Sequence, residues 1–319
     1  MIVEWRADDP LPSRRPVSFV AGGYAELEPG AVERAFTEFV DLILERARDL
    51  DHPDLSALRA DWMAITATTK AELELCKRAA QMGLDAYDCD QVSPNLEVVL
   101  MGELDKLPPP TRGDLLDAAV RTAFLASSVS LLADEVTASG LEAGVPGASL
   151  PRPSGNGRAH EEGYALARAV RSHIGQPAEP LDWDAALGSL GCEGLHASRA
   201  QWTPLHTNLK AAIGFSQGSP RLLTRPAKLR SERFLVARGL FALLSHATSN
   251  GPRLITSAGT RLQAASRAFA AELLAPSVAI RARIRDGLDE DRIDEIAEEF
   301  MVAPTVIEHQ VANHRLLPD

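Results

Sequence analysis

Three potential metal ligands, Cys192, His196 and His206, fall within fifteen positions of one another. Their spacing, C-x3-H-x9-H, matches no standard zinc pattern, and they straddle a predicted strand and loop. No metal is expected there. His246, His309 and His314 stand apart from this cluster and read as hydrogen-bonded structural histidines. Cys76, Cys89 and Cys192 are odd in number and form no C-x-x-C pair, which predicts reduced thiols. The chain has no G-x-S-x-G elbow, no P-loop and no G-x-G-x-x-G. A Ser-His-Asp triad can be scattered along a sequence, so the spacing neither supports nor removes one.

The elements that would have to position any site centre on 231–276. The run SERFLVARGLFALLSHA is apolar almost all the way round, through Phe234, Leu235, Val236, Leu240, Phe241, Leu243 and Leu244. Such a helix belongs in the interior of a domain. The run TRLQAASRAFAAELLAP places Leu262, Ala265, Phe269, Leu273 and Leu274 at helical spacing and stops at Pro276.

This helix pair resembles the core of the ImmA/IrrE zinc metallopeptidases. The RF pair and the apolar positions match in the first helix, and F-A-A-E-L-L-x-P matches in the second. The resemblance spans about 158–319. In the family, the first helix carries H-E-x-x-H, whose two His at i and i+4 face the metal and whose Glu acts as general base. A carboxylate in the second helix is the third ligand. Aligned on RF, this chain has Arg238 and Ala242 in the His slots, Gly239 in the Glu slot, and Gln263 or Ala265 in the carboxylate slot. Arginine offers no lone pair. The resemblance therefore implies a zincin-like scaffold with no catalytic residue, no metal ligand and no cofactor, although zinc is the family's metal. The pseudo-active-site groove would comprise Arg238, Gly239, Ala242, Gln263, Ala265, Glu272 and His246. His246 matches a His that follows the motif helix in some relatives. A buried guanidinium needs an acceptor, and the retained Glu272 is the first candidate. The edge strand of the family's sheet lies beside the cleft, where a peptide could add as another strand.

Before this region, a helix is predicted over 31–50, a second over 55–66 capped by Asp54, a third over 70–84 capped by Thr68 or Thr69, and a long one over 114–136. Residues 1–30 read as irregular, with one strand-like run, VSFVAGGY. The segment ELCKRAAQMGLDAYD resembles an element found upstream of ImmA/IrrE domains, with Ala86 where that element has Pro. Five Gly and three Pro between 140 and 158 predict a linker. The expected organisation is a helical domain over 1–140, a linker over 141–158 and a zincin-like domain over 159–319. In the last, a helix (160–177), a short helix with a Gly-rich turn and strand (181–200), and a hairpin turning at 217–220 precede the buried helix. The fold class is α+β.

The tail RIDEIAEEFMVAPTVIEHQVANHRLL reads as a helix-turn-helix. The family ends in a similar pair, matched by Val306, Ile307, His309, Gln310 and Asn313. Asp294, Glu295, Glu298 and Glu299 on its first helix oppose a phosphate backbone, so nucleic acid is not an expected partner. The net charge of -11 and pI of about 5.3 argue the same way. No signal segment or apolar span is evident, which predicts a cytoplasmic protein with no membrane partner. The resulting expectation is a pseudo-peptidase that binds a protein or peptide client, such as a helix-turn-helix repressor, in a regulatory, stress-response or mobile-element context. The alternatives are an active peptidase or hydrolase with non-standard site residues, and a DNA-binding regulator acting through the helix-turn-helix-like tail.

Overall fold

The computed structural model describes residues 2–5, 23–50, 52–86, 88, 90–119, 126–146, 158–199, 208–225, 227–284 and 288–316. His206 and Cys89 lie outside them. The chain forms two compact units, Met1–Lys70 and Ala71–Asp319.

In the first unit, β1 (Ile2–Trp5) pairs antiparallel with β2 (Gly23–Glu26), and α1 (Pro29–Arg46) and α2 (Pro53–Ala67) follow. The Glu28 carboxylate caps α1, accepting from the amide of Ala31 at 2.7 Å. His52, not Asp54, caps α2: its Nδ1 accepts from the Asp54 amide at 3.3 Å, ahead of Pro53 in the first turn. The helices meet where Phe36 stacks edge-on against Trp62, whose indole N–H donates to Asp41 at 2.7 Å.

The second unit is α+β. Four helices come first: α3 (Lys70–Gln81), α4 (Pro94–Met101), α5 (Pro109–Ala118) and α6 (Ala126–Ala138). They are followed by α7 (Ala159–His173), α8 (Trp183–Ser189), β3 (Ala197–Arg199), β4 (Leu209–Ser216), β5 (Ser219–Thr224) and α9 (Leu229–Leu244). Then come β6 (Arg253–Thr256), α10 (Arg261–Leu274), α11 (Ser277–Arg283), α12 (Glu290–Glu299) and α13 (Pro304–His314). The strands form one mixed sheet in the order β3-β5-β4-β6, with β3 parallel to β5 and the other pairs antiparallel. Gln217 and Gly218, both at positive φ, close β4 onto β5 in the two-residue turn that matches strand twist.

Both faces of the sheet are buried. Ala211, Ile213, Phe215, Leu222 and Ile255 face the layer containing α7, α9 and α10. Ala212, Leu223, Leu254 and Leu209 share a second core with Met82, Leu100, Leu115 and Leu132 from the preceding helices. Leu209 joins Ala212 on that face despite its odd spacing because β4 is bulged between Leu209 and Ala211. The predicted domain boundary at 141–158 therefore differs from the compact division, which falls after Lys70. Helices α3–α6 form one layer of the sheet-containing unit. The start of the expected linker is docked as well. Glu142 exchanges two backbone hydrogen bonds with Phe215, of 2.7 and 3.0 Å; the Gly144 amide donates to the Thr248 carbonyl at 3.0 Å, and the Thr248 hydroxyl donates to the Gly144 carbonyl at 2.8 Å. Residues 147–157 lie outside the described residues.

Two glycines set how the upper layer packs. A Cβ on Gly163 of α7 would lie 2.3 Å from the carbonyl oxygen of Ala265 and 2.8 Å from the amide nitrogen of Phe269. Only glycine lets α7 and α10 approach this closely. A Cβ on Gly239 of α9 would meet Leu222 at 3.1 Å and Ile213 at 3.4 Å. This places Gly239 against the sheet, not in a groove.

Candidate functional site

The sequence singled out Arg238 and Gln263, and the fold brings them together. Arg238 leaves the middle of α9 and is only 4% exposed. Its Nη2 donates to the Gln263 side-chain oxygen at 2.6 Å and to the Thr256 carbonyl at 2.7 Å, and its Nε donates to Ser266 Oγ at 3.1 Å. All three acceptors are neutral. Burial pulls the guanidinium pKa down to about 9, and the neighbouring Arg267 pushes the same way. A buried cation lacking a carboxylate is unusual, because the low dielectric that strengthens its hydrogen bonds also penalises its charge.

Glu272 is not that carboxylate. It sits in the last turn of α10, while Gln263 and Ser266 sit in its first turns. One oxygen accepts from Arg168 Nε at 2.9 Å and Ser277 Oγ at 3.0 Å. The other accepts from the Ser277 amide at 3.1 Å and Gln310 Nε2 at 2.8 Å. Glu272 thus ties α7, α11 and α13 to the end of α10. The expected Arg238–Glu272 pair is replaced by two separate networks.

The other expected groove residues disperse. Gly239 faces the sheet. Ala242 is buried in the apolar core, and Ala265 lies in the same core beneath Gly163. His246 adopts positive φ just past the end of α9 and is half-buried there. Cys192 is buried, with its thiol pushed up to about 12 by burial, so it is a poor ligand or nucleophile. Among the described residues, no three His, Cys, Asp or Glu side chains converge.

The positions that the resemblance assigns to zinc do not fit it. A tetrahedral zinc requires lone pairs from three protein groups. Arg238 and Ala242 have none to give. The Gln263 oxygen already accepts from Arg238 and from the Thr256 amide at 2.9 Å.

The residues that sequence reasoning missed surround β6, a four-residue edge strand. In the ladder with β4, Leu254 and Thr256 turn their backbone groups outward. Each outward group is taken by a side chain. Asp114 Oδ2 accepts from the Leu254 amide at 2.8 Å. Gln263 Nε2 donates to the Leu254 carbonyl at 2.8 Å, and its oxygen accepts from the Thr256 amide. Arg238 donates to the Thr256 carbonyl. Thr111 Oγ1 donates to the Pro252 carbonyl at 2.8 Å, and Pro252 has no N–H. Arg253 grips Asp114 bidentately at 2.8 and 2.6 Å. Burial still lifts Asp114 above the usual carboxylate range, with Arg253 pulling against it. The edge next to Arg238 therefore cannot accept an added strand unless Gln263 and Asp114 let go. This corrects the expectation that a peptide could pair there.

The tail forms its two helices, joined through Met301 at positive φ and Pro304 in the first turn of α13. Gln310 is fully buried on Glu272 and the Ala275 carbonyl. The face that carries it is an internal packing face. No model of a known family matches this chain, and no curated protein matches it.

Proposed function

We propose that this chain is a non-hydrolytic binding protein on a zincin-like scaffold, acting on a protein or peptide client in a regulatory setting. The observation that carries this reading is the Arg238 cage. Aligned on RF, Arg238 takes a metal-ligand slot of the resembling family, and Gln263, Ser266 and the Thr256 carbonyl occupy its donors. The buried positions around it offer neither a lone-pair set for a metal nor an acid to activate water. The hydrogen bonds along β6 also close that edge of the sheet to an added strand. A client must then engage the unit away from β6.

A helix-turn-helix repressor fits as the client class because the resembling family acts on such proteins. DNA binding by α12 and α13 is a weaker reading. Gln310 is buried against Glu272, and α12 presents Asp291, Asp294, Glu295 and Glu298. Phosphate contacts need cations there.

The reading is tested by crosslinking the intact chain in cells, identifying the captured protein, and rebuilding the pair from purified components. A saturable complex in which the client stays full length over hours is expected. Client fragments that accumulate with time would overturn it.

A further inference from the structure

At the far end of α10 from Arg238, a pocket of about 410 Å³ opens between α7, α11 and α13. Its wall carries Arg168, Arg171, Arg281 and His314, with Glu272 as the only carboxylate among the described residues. Three fixed cations against one acid make it positively charged in a chain whose net charge is -11. These five groups divide into two kinds.

Arg171 and Glu272 are already satisfied. Arg171 is 1% exposed, and its guanidinium donates to the carbonyls of Leu273, Gln176 and Glu179 at 2.7, 2.7 and 2.9 Å. Those acceptors are uncharged, so its positive charge persists beneath the pocket. Glu272 accepts from four donors, as described above. The other groups have capacity left. Arg168 uses only Nε on Glu272 and is half exposed, which leaves its two terminal nitrogens for a ligand. Arg281 is exposed and makes no ion pair or hydrogen bond with the described residues. His314 is held differently: its Nε2 is shielded from solvent, 3.5 Å from Glu272. Pro177, Val278 and Leu316 line the rest of the pocket and are apolar.

We infer that this pocket binds an organic carboxylate with an apolar body. Its carboxylate meets the Arg168 and Arg281 guanidinium groups, whose planar forks suit that geometry. The body covers Pro177, Val278 and Leu316. The volume is that of a small-molecule site. A free carboxylic acid and the C-terminus of a peptide with an apolar last residue share this chemistry. The inference does not rest on the reading of the Arg238 slot.

The test is calorimetric titration of the full chain with N-acetyl-leucine and with N-acetyl-leucine amide, which lacks the charge. Saturable one-site binding of the acid is expected, with the amide at least tenfold weaker. Arg281→Gln should weaken the acid at least tenfold while leaving the unfolding midpoint unchanged, since Arg281 supports no described contact. A peptide ending in a free leucine carboxylate separates the two sources. Tighter binding than N-acetyl-leucine points to a C-terminus, and equal or weaker binding points to a free acid. Absence of saturable binding by the acid overturns the proposal. So does equal binding of acid and amide, or an Arg281→Gln variant that binds as the wild type does.

Discussion

Replacing Arg238 by methionine should hardly change the stability of this protein, although it deletes a buried residue with three hydrogen bonds. The magnitude follows from the acceptors. A guanidinium held at a pKa of about 9 is less favourably placed than in water by on the order of 5 kcal/mol. Methionine removes that penalty and keeps most of the aliphatic stem. Against this, the Thr256 carbonyl loses its donor, at about 1–3 kcal/mol. A guanidinium-sized void adds roughly another 1–2 kcal/mol. Gln263 keeps the Thr256 amide, and Ser266 keeps its bond to the Gln263 carbonyl, so neither is orphaned. The terms nearly cancel, and Arg238→Met should fall within about 1 kcal/mol of wild type. Arg253→Met is the internal control. It strands Asp114, only 3% exposed, with a single backbone donor. A loss of roughly 3 kcal/mol is expected. Urea unfolding followed by circular dichroism reads both, provided the slope m is unchanged. A loss of about 3 kcal/mol in Arg238→Met as well would mean that an anion answers Arg238, and the neutral-cage argument would be refuted.

A fragment of 159–319 should fail to fold, because it exposes Leu209, Ala212, Leu223 and Leu254 on one sheet face, whereas 71–319 should fold; proton NMR dispersion distinguishes them. Gly163→Ala should lower stability by about 2–3 kcal/mol despite better helix propensity, because the new methyl meets the α10 backbone at 2.3 Å; the midpoint of urea unfolding checks this. His314 is held below the usual histidine pKa chiefly by burial, with Glu272 opposing. The unfolded chain therefore binds that proton first, and the stability linked to neutral His314 is present above about pH 6.5 and lost as pH falls through the folded pKa. His314→Gln should flatten the stability profile as pH falls below about 6.5, and an unchanged slope would contradict the assignment.

Local signals in the sequence read well. The apolar wrap of 231–246 gives α9, the Gly-rich turn ahead of Ala197 gives the α8–β3 step, and Gln217-Gly218 gives the hairpin. Each depends on neighbours a few positions away. The site was legible only in its residue types. Arg238 and Gln263 stood out, but Thr256 and Ser266 are uncharged and contribute through a carbonyl and a hydroxyl, which no spacing marks. Strand β6 is four residues between two helices, too short for a period-two pattern. Asp114 and Thr111, which help close its edge, lie about 140 residues earlier. Residues 140–146 show why composition misleads. Their Gly and Pro content reads as a linker, yet their backbone pairs with Phe215 and Thr248. Glu272 matched a family position, but its partners come from three helices that only the fold assembles.

The central proposal is that a caged guanidinium fills a slot that the resemblance assigns to a metal ligand. Elemental analysis of protein purified without chelator, exchanged into metal-free buffer and then titrated with zinc, tests it most directly. The account predicts zinc far below one per chain after gel filtration, in both the wild type and Arg238→Met. One zinc retained per chain in the wild type, and lost when Gln263 is changed to leucine, would contradict it.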